Sequence, residues 1–379
     1  MKRVSRFVSL MISVIMCLSV FVVSADAADS EIKIILNGKT LEMSANAQLK
    51  DSDEGKIITV SLAEFAETFK AKLRYYNGER LASMQLGGTA AKLYVGRSTA
   101  VCGSRKFTMP ISPYISGGKM YVPMCSLAEM LGAEVIYDDS GKTMYISSVQ
   151  GKIPDNVSAN IPVLMYHAVS DNPWGLKELF VKTSDMEAQI KYLVENGYTT
   201  ITFEDLPYID KIEKPVMLTF DDGYDDNYTD LFPILKKYNA KATIFVITGS
   251  IGGSHMMTEE QIKEMSDSGL VSIQSHTVSH PSMPSVTAAK LEKELLDSKL
   301  RLTRITGKIP FVLAYPNGEY SDSVISAMKD HYEYGLKKDG GIFTLGENVY
   351  KIDRTRISRS SSLGSFKSIV AKSNVTVTE

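Results

Sequence analysis

The chain has 379 residues, 44% hydrophobic and 23% charged, with 42 Lys and Arg against 44 Asp and Glu for a net charge of −2. That length holds two domains with proper cores. With neither sign dominant and no basic run, the composition excludes binding to nucleic acid or an anionic membrane through bulk charge.

At the N-terminus, Lys2, Arg3 and Arg6 precede the uncharged apolar stretch Phe7 to Val23, and Ala25-Asp26-Ala27 offers an A-x-A cleavage site. Residues 1–27 therefore read as a secretory signal peptide, which implies a secreted or cell-surface protein. An uncleaved anchor is the alternative, although a spanning helix needs roughly 20 apolar residues. Cys17 lies inside the apolar stretch. Cys102 and Cys125 are left as either a disulfide or two free thiols.

Residues 28–148 carry a degenerate duplication. Gly55-Lys56-Ile57-Ile58, Ser61-Leu62-Ala63-Glu64-Phe65 and Ala71-Lys72-Leu73-Arg74-Tyr75 are echoed by Gly118-Lys119-Met120-Tyr121, Ser126-Leu127-Ala128-Glu129-Met130 and Ala133-Glu134-Val135-Ile136-Tyr137. Each copy predicts strand, short helix, strand, with Asn77-Gly78 and Ser140-Gly141 as hairpin turns. The segment resembles the copper amine oxidase N-terminal-like domain of exported bacterial proteins. It contains no histidine, so copper is not implied, and a stalk or cell-wall association is the expected role.

Residues 149–160 are polar, include Pro154 and predict a linker. From 161 to 379, strand and helix signals alternate. Ile161–Tyr166 is a buried strand. Ser184-Asp185-Met186-Glu187 reads as a capping box for a helix that presents Met186, Ile190, Leu193 and Val194 and stops at Gly197. Further strands follow at 198–201, 216–220, 242–246, 271–274 and 311–314, with helices at 232–238, after the Thr258–Gln261 capping box, and at 287–303. Strands separated by helices imply parallel β/α units with chemistry at the strand C-terminal ends. The expected fold class is α/β, a distorted (β/α) barrel preceded by a small duplicated α+β domain.

Two motifs fall at such ends. Thr219-Phe220-Asp221-Asp222-Gly223 follows one apolar run, and Ser275-His276-Thr277-Val278-Ser279-His280-Pro281 follows another. One carboxylate and two imidazoles make a three-ligand set for a divalent metal with a position open to water, and the second aspartate stands beside it as a base. An acidic turn alone is more often a solvated strand end, and two histidines alone are more often not a ligand pair. Their joint placement at successive strand ends favours a metal-dependent hydrolase.

These motifs resemble the first two of the polysaccharide deacetylases, carbohydrate esterase family 4, from about residue 160 to 370. The resemblance implies Asp222, His276 and His280 as ligands of Zn²⁺, or of another divalent ion such as Co²⁺, and Asp221 as general base. The family's late Leu-x-His motif is absent. Val163-Leu164-Met165-Tyr166-His167 instead resembles the permuted poly-N-acetylglucosamine deacetylase branch, which implies His167 as general acid. Ala314-Tyr315-Pro316-Asn317-Gly318 resembles the third motif, with the Asn317 backbone N–H as an oxyanion donor. Ala314 stands where the family's bracing arginine would be. Arg356 is the expected substitute for that charge, and Asp353 the expected partner of His167.

Trp174, Tyr224, Tyr315 and Tyr320 are candidates for sugar stacking, with ordinary loop packing as the alternative. His255 and His331 fit no motif and are expected at the surface. The implied function is hydrolysis of N-acetyl groups from an N-acetylglucosamine-containing polysaccharide. Two alternatives stand beside it: a peptidoglycan or chitooligosaccharide deacetylase, and a non-catalytic glycan-binding wall protein with a decayed site.

Overall fold

The computed structural model describes residues 31–378 except 54, 87–88, 148–150 and 339. The expected signal peptide lies outside them. Among the described residues no helix is long and apolar enough to cross a membrane. The chain divides into two compact units, the first made mostly of residues up to 149 and the second mostly of those from 150 onward.

In the first unit both copies of the duplication fold as strand, helix, strand: Gly55–Ser61, Leu62–Thr68 and Lys72–Tyr76, then Lys119–Pro123, Met124–Met130 and Val135–Tyr137. Their leading strands pair antiparallel, Val60 opposite Val122. Antiparallel hairpins follow at Asn77–Glu79 and at Ser140-Gly141. The copies differ because the first runs on into a five-stranded antiparallel sheet spanning Lys72 to Thr108. Cys102 and Cys125 are free thiols.

The second unit is built on an eight-stranded parallel sheet whose path has seven strands: β1 (Val163–Tyr166), β2 (Pro215–Phe220), β3 (Ala242–Val246), β4 (Val271–Ser275), β5 (Val312–Ala314), β6 (Tyr334–Leu336) and β7 (Thr355–Arg356). The eighth, Thr199–Thr200, pairs with the start of β2 off that path. The order along the path is β6-β5-β4-β3-β2-β1-β7, so the first strand lies beside the last. Ile352, just ahead of β7, bridges in parallel to Leu336 at the other edge. One short segment, residues 352–356, therefore pairs with β6 at its start and with β1 at its end, and so closes the sheet into a distorted barrel.

Strand alternation divides the barrel's inside from its outside. Leu164 and Tyr166 of β1, and Val216, Leu218 and Phe220 of β2, pack outward with helix α1 (Thr183–Glu195) and helix α2 (Phe232–Tyr238). Val163, Met217, Phe245, Val312, Ala314 and Leu336 form a separate cluster on the other face of the sheet. Helix α3 (Glu259–Asp267) begins at the predicted capping box, with Thr258 and Gln261 bonding reciprocally, and helix α4 (Ala288–Thr306) covers β4.

Three local expectations change. Residues 157–160 are not linker: Val157–Ile161 pairs antiparallel with Asn374–Val377. Pro162, which has no N–H to give a ladder, separates that strand from β1. Ser184 is not a cap, because helix α1 starts at Thr183 with Lys182 as its N-cap. The two-residue strand Phe180–Val181, paired with Ala168–Val169, delivers the chain into the helix one residue early. Val194 lies at the edge of the α1 stripe and is 46% exposed, whereas Met186, Ile190 and Leu193 are buried.

Candidate active site

The inward series of three strands run past their C-terminal ends into polar residues. On β1 the series Val163, Met165 leads to His167. On β2, Met217 and Thr219 lead to Asp221. On β4, Ser272 and Gln274 lead to His276. Period-two alternation therefore delivers these three side chains to the same end of the barrel interior. Asp222 breaks the alternation with a left-handed backbone (φ 74°), which is uncommon without glycine. Gly223 continues the turn at φ 85°, and a Cβ there would meet Val246 at 3.2 Å.

The carboxylate of Asp222 lies 3.6 Å from His276 Nε2 and 3.9 Å from His280 Nε2. One donor atom from each residue lies within 4.8 Å of the others, the spacing of a metal cluster. His276 Nδ1 is 2.8 Å from the Ala314 carbonyl oxygen. It can only donate there, which leaves Nε2 unprotonated and turned toward Asp222, the arrangement of a metal-binding histidine. Burial lowers the His276 pKa, and the charges of Asp221 and Asp222 oppose that shift. Carboxylate and neutral imidazole suit Zn²⁺, so the residues present fit the metal that the fold family implies.

Asp221 is buried, and burial alone would raise its pKa. Arg354 overrides this: the guanidinium donates from Nη1 to Oδ1 at 2.6 Å and from Nη2 to Oδ2 at 2.8 Å. That charge and its two hydrogen bonds hold the carboxyl well below the usual carboxylate range. The expected brace was Arg356, and the structure corrects it. Arg356 is exposed on β7 and contributes charge near Glu178. Arg354 is 1% exposed, anchors Nε on the Lys337 carbonyl at 3.0 Å and lies over the Phe245 ring at 5.6 Å. Its long side chain is buried and reaches, from just ahead of β7, across β1 to the aspartate at the end of β2.

His167 is partly buried. Burial lowers its pKa, while the charges of Asp221 and Asp222 act to raise it. Its carbonyl accepts from Asn227 Nδ2 at 2.9 Å. Asn227 Nδ2 also reaches Asp226 Oδ1 at 3.0 Å, and that oxygen accepts from the Val169 N–H at 3.1 Å. This buried pair fixes the backbone on which His167 sits, and nothing in the residue types alone indicated it. The expected partner of His167, Asp353, instead pairs with Lys337 at 2.6 Å. Asn317 is exposed at φ 57° in the turn Pro316–Gly318, three residues past the carbonyl that holds His276.

A cleft of about 830 Å³ opens beside Asp222 and His280, with Trp174, Tyr224 and the Gly249–Ser254 loop among its lining. His255 is exposed as expected, and it stacks on the Trp174 indole at 4.3 Å with an interplanar angle of 11°. His331 is not free at the surface but pairs with Glu292 at 3.0 Å. Tyr315 is buried, its hydroxyl donating to the Tyr350 carbonyl at 2.9 Å, and Tyr320 packs on it with ring centroids 5.4 Å apart. Those two residues take the packing alternative.

Residues 209–334 match the family model for polysaccharide deacetylase, and residues 31–146 match that for the copper amine oxidase N-terminal domain. "Putative polysaccharide deacetylase YxkH" of Bacillus subtilis (strain 168) is 38% identical over 214 residues, covering 55% of this chain and 75% of that protein. The chain belongs to the polysaccharide deacetylase family.

Among other relatives, a poly-beta-1,6-N-acetyl-D-glucosamine N-deacetylase of Staphylococcus aureus (strain MRSA252) is 30% identical over 201 residues, covering 48% of this chain and 69% of that one. A crystal structure of a Bacillus cereus polysaccharide deacetylase superposes with a TM-score of 0.54 at 28% identity, covering 79% of this chain and 99% of its own. The Streptococcus pyogenes deacetylase PplD, solved in complex with acetate, gives a TM-score of 0.52 at 30% identity, covering 56% of this chain and 98% of its own. The fold and the enzyme class are thus those of the deacetylase family.

Proposed function

We propose that this deacetylase removes N-acetyl groups from an N-acetylglucosamine-containing polysaccharide with a divalent metal, Zn²⁺, held by Asp222, His276 and His280. The observation that carries the reading is the buried Arg354–Asp221 pair beside that cluster. It keeps a carboxylate ionised next to three metal-ligand donors, as a base must be. Similarity to the staphylococcal enzyme supports a β-1,6-linked polymer as first candidate.

When bound, the metal would acidify a water and polarise the acetyl carbonyl. Asp221 takes the proton of the attacking water as its oxygen bonds to the acetyl carbon. The Asn317 backbone N–H holds the developing oxyanion. His167 gives its proton to the nitrogen as the C–N bond breaks, so acetate and a free amine leave. Lys2, Arg3 and Arg6, the apolar stretch and Ala25-Asp26-Ala27 support action outside the cytoplasm, with the N-terminal unit as a wall-associated stalk.

The test is acetate release from poly-β-1,6-N-acetylglucosamine, chitooligosaccharides and peptidoglycan fragments, with and without chelator. Release from the first, abolished by chelator and restored by Zn²⁺ or Co²⁺, is expected. Full activity in chelator would remove the metal, and release from peptidoglycan alone would reassign the substrate.

A further inference from the structure

The loop between His276 and His280 is strained at both ends. Thr277 and His280 hold left-handed backbones at φ 66° and φ 54°, and for a β-branched threonine this is a genuine outlier. Such conformations persist only where their surroundings over-determine them. The loop is held on one side by backbone bonds, Thr248 N–H to the Thr277 carbonyl at 3.1 Å and Gly249 N–H to the Val278 carbonyl at 2.8 Å.

Within the loop, Ser275 Oγ accepts from the Thr277 N–H at 3.2 Å and Thr277 Oγ1 from the His280 N–H at 3.1 Å. From the other side, a helix side chain grips the Val278 and Ser279 N–H groups between them. Helix α4 buries a stripe that includes Leu291, Leu295, Ser298 and Leu302, and Glu294 falls within it at 4% exposure. One turn further along, Ser298 Oγ lies 2.7 Å from Ser275 Oγ at the end of β4, which sets the helix register against the strand. Glu294 Oε2 accepts from the Val278 N–H at 2.9 Å and the Ser279 N–H at 2.8 Å, and Oε1 accepts from Ser279 Oγ at 2.6 Å. A buried carboxylate is costly to leave unpaired, and all its bonding here goes to this loop.

We infer that Glu294 is a positioning residue that sets the separation of His276 and His280, and hence the affinity of the cluster for its metal. It belongs to neither motif and touches no donor atom of the cluster. The inference rests on the metal assignment above and deepens it. Because both N–H bonds go to a single oxygen, a glutamine can reproduce all three contacts once the Ser279 hydroxyl turns to accept.

The test uses the full chain, with zinc affinity measured by chelator competition and amide exchange followed in the metal-free protein. Glu294→Ala should bind zinc about 10–100-fold more weakly, with faster exchange at Val278 and Ser279. Glu294→Gln should stay close to the parent. Ser279→Ala, at an exposed position, loses one of the three bonds and should weaken zinc about fivefold; it decides the matter if Glu294→Ala does not fold. Parental zinc affinity in folded Glu294→Ala, or in Ser279→Ala where the former cannot be made, overturns the proposal. If the parent protein itself binds no zinc, the metal assignment fails instead, and unchanged exchange at Val278 and Ser279 then rejects the clamp separately.

Discussion

Arg354 grips Asp221 through two parallel hydrogen bonds, 2.6 and 2.8 Å long, inside a barrel whose last strand brings the arginine and whose second strand brings the aspartate. Removing one partner leaves an uncompensated buried charge, at a cost of about 3–5 kcal/mol. Arg354→Ala should therefore lower stability by about that much, and a lysine cannot restore the two-pronged geometry. Arg356→Ala should leave both stability and turnover close to the parent. Thermal denaturation and initial rates on the three variants check this, and the opposite ranking of Arg354 and Arg356 would discard the brace.

Asp221→Asn and His167→Ala probe the proton-transfer roles apart from the metal. Neither residue belongs to the Asp222, His276 and His280 cluster, so each variant should retain stoichiometric zinc by elemental analysis. Each should lose kcat by roughly 10²-fold or more, the range for removing a positioned acid or base. The alkaline limb of the pH–rate profile should vanish with His167. A near-normal kcat in His167→Ala would leave β1 as a structural stave of the barrel.

The buried Asp226 gives the fold a pH dependence of unusual sign. Burial, with the nearby Asp225 and Asp230 charges, outweighs its bonds from Val169 and Asn227 and pushes its pKa up to about 6. An unfolded aspartate titrates near 3.9. Between those values the folded protein holds a proton that the unfolded chain has released, so stability falls as pH rises through the window, by about 3 kcal/mol in all. Asp226→Asn keeps an acceptor for the Val169 N–H and cannot ionise. Its melting temperature should vary less between pH 4 and 6 than that of the parent, and an identical slope would reject the assignment.

Trp174 is 42% exposed at the cleft beside Asp222 and His280. A sugar face stacked on it would contribute to binding more than to the chemical step, so Trp174→Ala should raise KM severalfold while kcat changes little. Tyr320→Ala, away from that cleft lining, serves as the control. A fall in kcat with KM unchanged would place Trp174 in loop packing instead.

The sequence by itself determined the alternating β/α order, the duplicated strand–helix–strand unit and the residues of the two motifs. Each of these is written in local signals: period-two runs ending in Asp221 and His276, a Gly-bearing turn after Asp222, and a capping box at Thr258. Tertiary structure alone decided which arginine serves Asp221. Arg354 and Arg356 are two residues apart with the same charge, and only closure of the barrel sets which one is buried against Asp221. The same holds for Asn227 under His167 and Glu294 under the histidine loop. These contacts join residues distant in the chain, and their geometry comes from strand order and helix register, which no local pattern encodes.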